Sequence, residues 1–202
     1  MPVTWILIVA NVAAFGLQAV WGDAMVEWLA LWPLGQHAVK ELPDVVGFHW
    51  WQLATSAFLH ANLTHIALNM WGLWLFGHDV ERALGSRSYF ALYAAAVLSA
   101  GLVQLAVVSH AGGPTYPTVG ASGGVFGLLL AFGVLFPRRK LMLIFPPIPM
   151  PAWLFVVLYG LLELGNGVLG TEQGVAHFAH LGGMLGGGLV LFLARHRVRR
   201  AL

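Results

Sequence analysis

A single serine in a glycine-rich setting is a candidate nucleophile of this chain. Ser122 stands in the run Gly120-Ala121-Ser122-Gly123 at the start of a long apolar stretch, and the sequence contains no cysteine that could serve instead. A serine hydroxyl becomes nucleophilic when a neighbouring base takes its proton across about 2.6 to 3.2 Å between heavy atoms. Small residues at such a place also let helices pack closely without any chemistry. Ser122 alone therefore leaves both interpretations open.

Two histidines in another glycine-rich apolar segment are candidates for the base that takes the proton of Ser122. His177 and His180 are the only ionisable residues of positions 176–187. Ionisable side chains are costly inside a membrane and are functional candidates by default. At about 100° per residue, Gly183 falls near the face that carries His180, so this face is predicted to be flat. The glycines around Ser122 predict a matching surface, on which the serine and a histidine approach each other.

A third group of polar side chains lies earlier in the sequence than Ser122 and the two histidines. His65 and Asn69 are four positions apart, so they share one face of a helix, and both can donate hydrogen bonds. Acyl transfer passes through a negatively charged tetrahedral intermediate, and each donor held in its oxyanion hole is worth about 3 kcal/mol. A histidine here can equally make a structural hydrogen bond between helices.

The composition indicates that these residues lie in a membrane protein. Hydrophobic residues make up 59% of the 202 positions and charged residues 9%, with a net charge of +2. The mean hydropathy is +0.79, which is far too apolar for an ordinary soluble domain. The small net charge gives no support to a nucleic-acid partner. The predicted environment is the lipid bilayer, and one domain over residues 1–202 accounts for the chain.

Six apolar runs are long enough to predict membrane-spanning helices, which need about 17 to 25 such residues. Backbone amides cannot stay unpaired in hydrocarbon, so these spans are predicted to be helices packed in one bundle. The runs cover residues 4–22, 57–77, 88–109, 121–136, 151–169 and 176–194. The predicted fold is an all-α membrane protein, a bundle of six transmembrane helices.

Basic residues predict the orientation of this bundle, because positively charged loops stay in the cytoplasm. Lys40 is the one basic residue in the loops of the opposite side. The residues on the cytoplasmic side are Arg82, Arg87, Arg138, Arg139, Lys140, Arg195, Arg197, Arg199 and Arg200. Both termini are therefore predicted to be cytoplasmic. The tryptophan-rich connection 23–56 would lie outside, as a partly embedded flap or as a plain aromatic belt.

Three motifs together resemble the signatures of the rhomboid family of intramembrane serine proteases. Their joint occurrence, in the same order and on the second, fourth and sixth predicted helices, makes the resemblance specific. The motifs are H-x-x-x-N at 65–69, G-A-S-G at 120–123 and A-H-L-G-G-x-x-x-G at 179–187.

The resemblance implies a role for each motif residue. Ser122 would be the nucleophile and His180 the general base. His65 and Asn69, with the backbone amide of Ser122, would donate hydrogen bonds to the oxyanion. His60 matches a further histidine that relatives often carry, with a structural role or a place near a water cavity.

Other positions support or depart from the family pattern. His180, and not His177, has the family's spacing to Gly183. Phe126 stands where relatives often have a tyrosine packed on the histidine ring; its aromatic face can still orient an imidazole, but the hydroxyl is lost. Gln52 stands in the outer flap where many relatives have arginine, which leaves the anchoring of the flap open.

The implied function is that of a serine endopeptidase that cleaves peptide bonds in or near the transmembrane segments of other membrane proteins. None of the three motifs contains a carboxylate, so a Ser-His dyad is predicted, without metal or cofactor. Glu163, in the fifth predicted helix, has no assigned role and could reach the outer interface or bond a neighbouring helix. The small core without further domains favours the bacterial plasma membrane.

Two alternative functions remain open. The first is a metal-handling membrane protein, because imidazole suits zinc, copper and iron; its ligands would be His60, His65, His177 and His180, with no acidic residue among them. The second is a catalytically silent rhomboid-like factor that binds other membrane proteins.

Overall fold

The computed structural model of the chain describes residues 1–40, 42, 45–111, 116–142, 147–171 and 175–194. Arg195, Arg197, Arg199 and Arg200, on which part of the predicted orientation depends, lie outside these residues.

Helices dominate the described chain. The helices are α1 (Val3–Trp21), α2 (Asp23–Leu29), α3 (Gln52–Thr55), α4 (Leu63–Gly72), α5 (His78–Leu84), α6 (Ser86–Ala111), α7 (Ser122–Leu135), α8 (Ala152–Leu169) and α9 (His177–Leu193). A 3₁₀ turn (Ser56–Phe58) follows α3, and a π-helical segment (Leu73–Gly77) joins α4 to α5 without a break. Two antiparallel strand pairs complete the described fold: β1 (Gln36–Ala38) with β2 (Val45–Gly47), and β3 (Lys140–Met142) with β4 (Pro149–Pro151).

Three helices of the described chain are long and apolar enough to cross a membrane: α1, α6 over Ser86–His110, and α8. Two further apolar helices, α7 and α9, are shorter, with 14 and 17 residues. The helices lie close to five of the six predicted spans, while the helical stretch 63–84 begins and ends later than the predicted run 57–77. A count of six membrane spans stays a prediction.

Helices α6, α7 and α9 form the centre of the bundle and pack most extensively on one another. α1 and α8 lie at its periphery and expose many large apolar side chains. Such apolar surface suits contact with lipid.

A buried carboxylate fixes α1 to the centre. Glu81, on α5, accepts hydrogen bonds from the backbone amides of Val3 and Thr4 at 2.7 and 2.9 Å. It also accepts one from the Ser86 hydroxyl at 2.6 Å. Helix N-termini carry unpaired amides and favour negative charge, and Pro2 offers no side-chain cap. Glu81 therefore caps α1 from another helix.

Gln52, one of the two residues that depart from the family pattern, holds the connection between α1 and α4 by hydrogen bonds. Gln52 is fully buried. Its side-chain oxygen accepts hydrogen bonds from the backbone amides of His49 and Trp32, and its amide nitrogen donates to the carbonyl of Gly47. Glutamine thus supplies an anchor to this connection. Trp50, two positions before Gln52, is 75% exposed.

Candidate active site

Ser122 and His180 contact each other between two of the central helices, α7 and α9. Ser122 is the first residue of α7, and His180 lies in the first turn of α9. The Ser122 hydroxyl oxygen and the Nε2 atom of His180 are 2.9 Å apart. This distance lies within the range over which a base can take the proton of a serine. The structure thus brings together the two residues that the sequence singled out.

Glycine contacts between α7 and α9 make this meeting possible. A Cβ atom on Gly183 would overlap the carbonyl oxygen of Gly123, and one on Gly187 would lie 2.9 Å from the Cα atom of Gly127. The flat face predicted for α9 therefore lies directly on the backbone of α7. Any side chain at these positions would separate the two helices.

An aromatic ring fixes the plane of the histidine. The rings of Phe126 and His180 stack with centroids 4.1 Å apart and an interplanar angle of 5°. Phe126 in turn contacts Tyr159 of α8, with centroids 5.6 Å apart. Phenylalanine thus provides a stacking surface for the imidazole at the position where the sequence lacks the family's tyrosine.

A carboxylate lies on the other side of His180. The Oε2 atom of Glu163, on α8, is 2.9 Å from Nδ1 of His180, and Glu163 is 6% exposed. The structure thus places a carboxylate beside His180, although none of the three motifs contains one. The catalytic dyad stays a prediction. Glu163 carries no motif, but an ionisable residue in an apolar helix is itself a sign of function. The sequence thus marked Glu163 as a functional candidate, but it did not indicate that His180 is the partner of Glu163.

His177 belongs to the same cluster and does not bond Ser122. Its Nδ1 atom lies 2.7 Å from Oε2 of Glu163, and its Nε2 atom lies 3.2 Å from the carbonyl oxygen of Thr171. The choice of His180 over His177 as the partner of Ser122 agrees with this geometry.

His65 also lies near Ser122, beside Gly120. The backbone amide of Ala61 donates to Nδ1 of His65 at 3.4 Å, so the ring proton of the neutral imidazole is on Nε2. A Cβ atom on Gly120 would lie 2.8 Å from this Nε2 and 3.7 Å from the Ser122 hydroxyl oxygen. Gly120 also has a φ of +124°, which other residues rarely adopt. His65 therefore directs an N–H group to the region beside Ser122.

Asn69 and His60 both contact His65. Asn69 is buried, and its side-chain nitrogen donates to the carbonyl of His65 at 2.9 Å. An amide nitrogen carries two protons, so this bond leaves one for another acceptor. His60 is 1% exposed, and its ring meets the His65 ring edge-on with centroids 5.1 Å apart. Neither ring nitrogen of His60 has a hydrogen-bond partner among the described residues.

The four histidines of the proposed metal cluster fall into two groups. His60 and His65 contact each other, whereas His177 and His180 share Glu163. Among the described residues, the group with metal-ligand spacing is Glu163, His177 and His180, whose ligand atoms lie within 4.8 Å of one another. The expectation that no acidic residue joins the histidines was wrong.

A cavity of about 30 Å³ borders Ser122. A cavity needs about 10 to 15 Å³ to hold a water molecule, so this one can hold water or a small side chain. Small residues from helices and the segments that connect them line much of it, including Ala57, Ala100, Gly101, Gly120, Gly123 and Ala179.

Comparisons with known proteins agree on one family. The Rhomboid domain family matches residues 47–197. Rhomboid protein 1, mitochondrial, of Saccharomyces cerevisiae is 36% identical over 106 residues, which cover 48% of this chain and 29% of that protein. Rhomboid protease GluP of Bacillus subtilis is 30% identical over 149 residues, 73% of this chain and 27% of that protein. RHOMBOID-like protein 12, mitochondrial, of Arabidopsis thaliana is 35% identical over 147 residues, 65% of this chain and 42% of that protein. The chain spans less than half the length of each of these relatives.

Proposed function

The chain belongs to the rhomboid family, and on that premise we propose that it is an intramembrane serine endopeptidase with Ser122 as nucleophile and His180 as general base. The observation that carries the proposal is the 2.9 Å contact between the Ser122 hydroxyl and Nε2 of His180. It is supported by the Glu163 carboxylate at Nδ1 of the same ring. It is further supported by one relative that is named a rhomboid protease.

The proposed reaction has two halves. The Ser122 oxygen attacks the carbonyl carbon of the scissile peptide bond while its proton passes to Nε2 of His180. His180 then gives this proton to the leaving nitrogen as the C–N bond breaks, which leaves an acyl ester on Ser122. Water attacks the ester carbonyl and gives one proton to His180. The ester bond breaks, and the proton returns to the Ser122 oxygen.

The oxyanion formed in each half needs hydrogen-bond donors. We assign this role to Nε2 of His65, the side-chain amide of Asn69 and the backbone amide of Ser122. The support for His65 is its position beside Gly120 and the tautomer that Ala61 imposes. The support for Asn69 is its burial one helical turn further along the same face. Donors in a site shielded from water are worth much more than in solution.

The substrates of this reaction would be transmembrane segments of other proteins. The cavity beside Ser122 is lined largely by alanine and glycine, which suits a small residue before the cut. A substrate helix that leaves lipid must give up helical hydrogen bonds. Segments with helix-breaking residues are therefore the expected substrates, and the resemblance implies the same.

The proposed topology has six membrane spans with both termini in the cytoplasm, in a bacterial plasma membrane. The continuous helical stretch 63–84 would be roughly 33 Å long, enough for a second span. α7 has 14 residues and would be roughly 21 Å long, shorter than the hydrocarbon core. Its first residue, Ser122, would then lie below the outer surface, where a water-filled cavity could reach it.

Labelling with a fluorophosphonate probe tests the proposal. The purified protein, reconstituted in lipid vesicles, is expected to react with the probe at Ser122 and to cleave a transmembrane substrate. Ser122→Ala should abolish both reactions and leave the melting temperature unchanged. Ser109→Ala is the matched control, because the Ser109 hydroxyl is exposed and its described hydrogen-bond partners are Ala106 and His110 of its own helix. A wild-type protein that folds but neither reacts nor cleaves would favour the silent binding factor.

A further inference from the structure

The partner of His180 on the side away from Ser122 is a buried carboxylate that the proposed reaction does not use. Oε2 of Glu163 lies 2.9 Å from Nδ1 of His180 and 2.7 Å from Nδ1 of His177. We propose that Glu163, itself held by His177, is a positioning residue that keeps His180 in the one tautomer and ring orientation able to accept the proton of Ser122. The inference rests on the proposed function, because it assigns His180 as the base.

The tautomer follows from what each ring nitrogen of His180 faces. A neutral imidazole has one N–H group and one lone pair. A carboxylate oxygen accepts hydrogen bonds, so the nitrogen beside Glu163, Nδ1, carries the proton. Nε2 then presents its lone pair to the Ser122 hydroxyl. In the other tautomer, Nε2 would present a proton to Ser122 and could not act as a base.

The ring orientation also depends on Glu163. Stacking on Phe126 fixes the plane of the imidazole, but a half-turn about the bond between Cβ and the ring leaves the ring in that plane. After this half-turn, carbon atoms would face both Glu163 and Ser122. The hydrogen bond to Glu163 is lost in the turned ring, so this bond selects the productive orientation. Phe126 and Glu163 thus restrict different motions of the same ring.

The hydrogen bond with His177 offsets part of the free-energy cost of burying the Glu163 carboxylate. A carboxylate in an apolar interior is costly unless it is paired and hydrogen-bonded. Both ring nitrogens of His177 face oxygen atoms, those of Glu163 and of the Thr171 carbonyl. With its proton on Nδ1, the ring donates a hydrogen bond to Oε2 of Glu163. His177 thereby holds Glu163 while the other hydrogen bond of Oε2 goes to His180.

The same three side chains also have metal-ligand spacing. A metal ion on Nδ1 of His180 would replace the proton that Glu163 accepts, and Nε2 would then carry the ring proton. Positioning and metal binding therefore predict opposite tautomers of His180.

Kinetics of matched glutamate variants test the proposal. Glu163→Gln should lower kcat for a reconstituted transmembrane substrate by about 100-fold, with KM within about twofold, because general-base catalysis contributes about 10² to 10⁴. The rate of fluorophosphonate labelling should fall in parallel. Glu163→Asp should recover part of kcat, and His177→Phe should cost about tenfold. Glu81→Gln is the control, because Glu81 is also 6% exposed and bonds α1 instead of the site; it should lower the melting temperature without lowering kcat.

A spectroscopic measurement keeps the proposal testable if a variant fails to fold. In the ¹⁵N NMR spectrum of the wild-type protein with labelled histidine, His180 should carry its proton on Nδ1. A His180 proton on Nε2, or activity that chelators remove and zinc restores, would overturn the proposal.

The outcomes separate this inference from the proposed function. If wild-type Ser122 reacts with the probe and Glu163→Gln retains wild-type kcat, the positioning role fails and the peptidase stands. If wild-type Ser122 does not react, the peptidase fails and the positioning role fails with it.

Discussion

Two histidines lie near Ser122, and their hydrogen-bond partners give them opposite chemical properties. Nδ1 of His180 faces a carboxylate, so the proton is on Nδ1 and Nε2 is free to accept one. Nδ1 of His65 faces the backbone amide of Ala61, so the proton is on Nε2, which can only donate. The two rings direct the same atom, Nε2, to the neighbourhood of one serine. One suits a general base, and the other suits an oxyanion donor.

The group bonded to Nδ1 determines which role each histidine suits, because it decides whether Nε2 carries a proton. Both residues lie in apolar helices and both belong to motifs, so neither residue type nor setting separates them. A carboxylate contacts His180, whereas backbone groups, Asn69 and His60 contact His65. The proposed general base therefore has a negative charge beside it, which would stabilise the imidazolium formed in the proposed reaction.

The largest expected effect comes from removing the base. His180→Ala should lower kcat by about 10⁴-fold, close to 5 kcal/mol, because the proton of Ser122 then has no acceptor. Ser122→Ala should cost about as much, and the double variant no more, because the two residues act as a unit. Cleavage of a transmembrane substrate at fixed enzyme concentration measures all three. His177→Ala should retain far more activity than His180→Ala, and equal losses would contradict the assignment of the base.

The second effect concerns the helix contact that carries the base to the serine. Gly183→Ala would drive a methyl group into the Gly123 carbonyl, so it should lower stability by more than about 3 kcal/mol. Thermal unfolding and probe labelling would both report it. Gly165→Ala, on α8, is the control, because a Cβ atom there has open space; helix propensity should make that change neutral or slightly stabilising. Equal melting temperatures for the two variants would show that the close contact is unnecessary.

A third change distinguishes donor from base directly. Glutamine can donate and accept hydrogen bonds but cannot take a proton at neutral pH. His65→Leu should lower kcat by about 10² to 10³, roughly 3 kcal/mol, by removing an oxyanion donor. His65→Gln should recover part of this loss, whereas His180→Gln should recover nothing relative to alanine. Steady-state kcat is measured for all of these variants. If glutamine restores activity at position 180 and does not at position 65, the two histidines have the opposite roles.

The smallest effect is expected at His60. Its ring nitrogens have no partners among the described residues, and its contact with His65 is edge-on. His60→Phe keeps an aromatic ring of similar shape, so kcat should fall less than about fivefold, or about 1 kcal/mol. A loss as large as that of His65→Leu, measured in the same assay, would place His60 in the reaction.

Helix positions could be predicted where an apolar run coincides with a helix. α7 and α9 lie within a residue of the predicted runs 121–136 and 176–194. The second run was placed too early and ended at residue 77, but its helix continues to Leu84. Charged residues such as Asp79 and Arg82 end the hydrophobic pattern without ending the helix. The apolar pattern therefore ends before the helix does, because the backbone hydrogen bonds of a helix do not depend on apolar side chains.

The connection between α1 and α4 was the least predictable part. Its short elements α2, α3, β1 and β2 have 3 to 7 residues each, too few for a clear periodicity. Much of their arrangement depends on the hydrogen bonds of Gln52 to residues 3 to 20 positions away. Such bonds appear only when the chain has folded.

The sequence by itself determined the chemical groups of this protein and the helices that carry them, because motif residues and apolar runs are local properties. It indicated Ser122, His180 and the glycines that let them approach. The tertiary structure alone decided which groups face each ring nitrogen. Glu163 and His180 lie on different helices, 17 positions apart, and their contact depends on how α8 packs on α9. Because that packing selects the tautomer, the chemical role of the histidine is a property of the folded bundle.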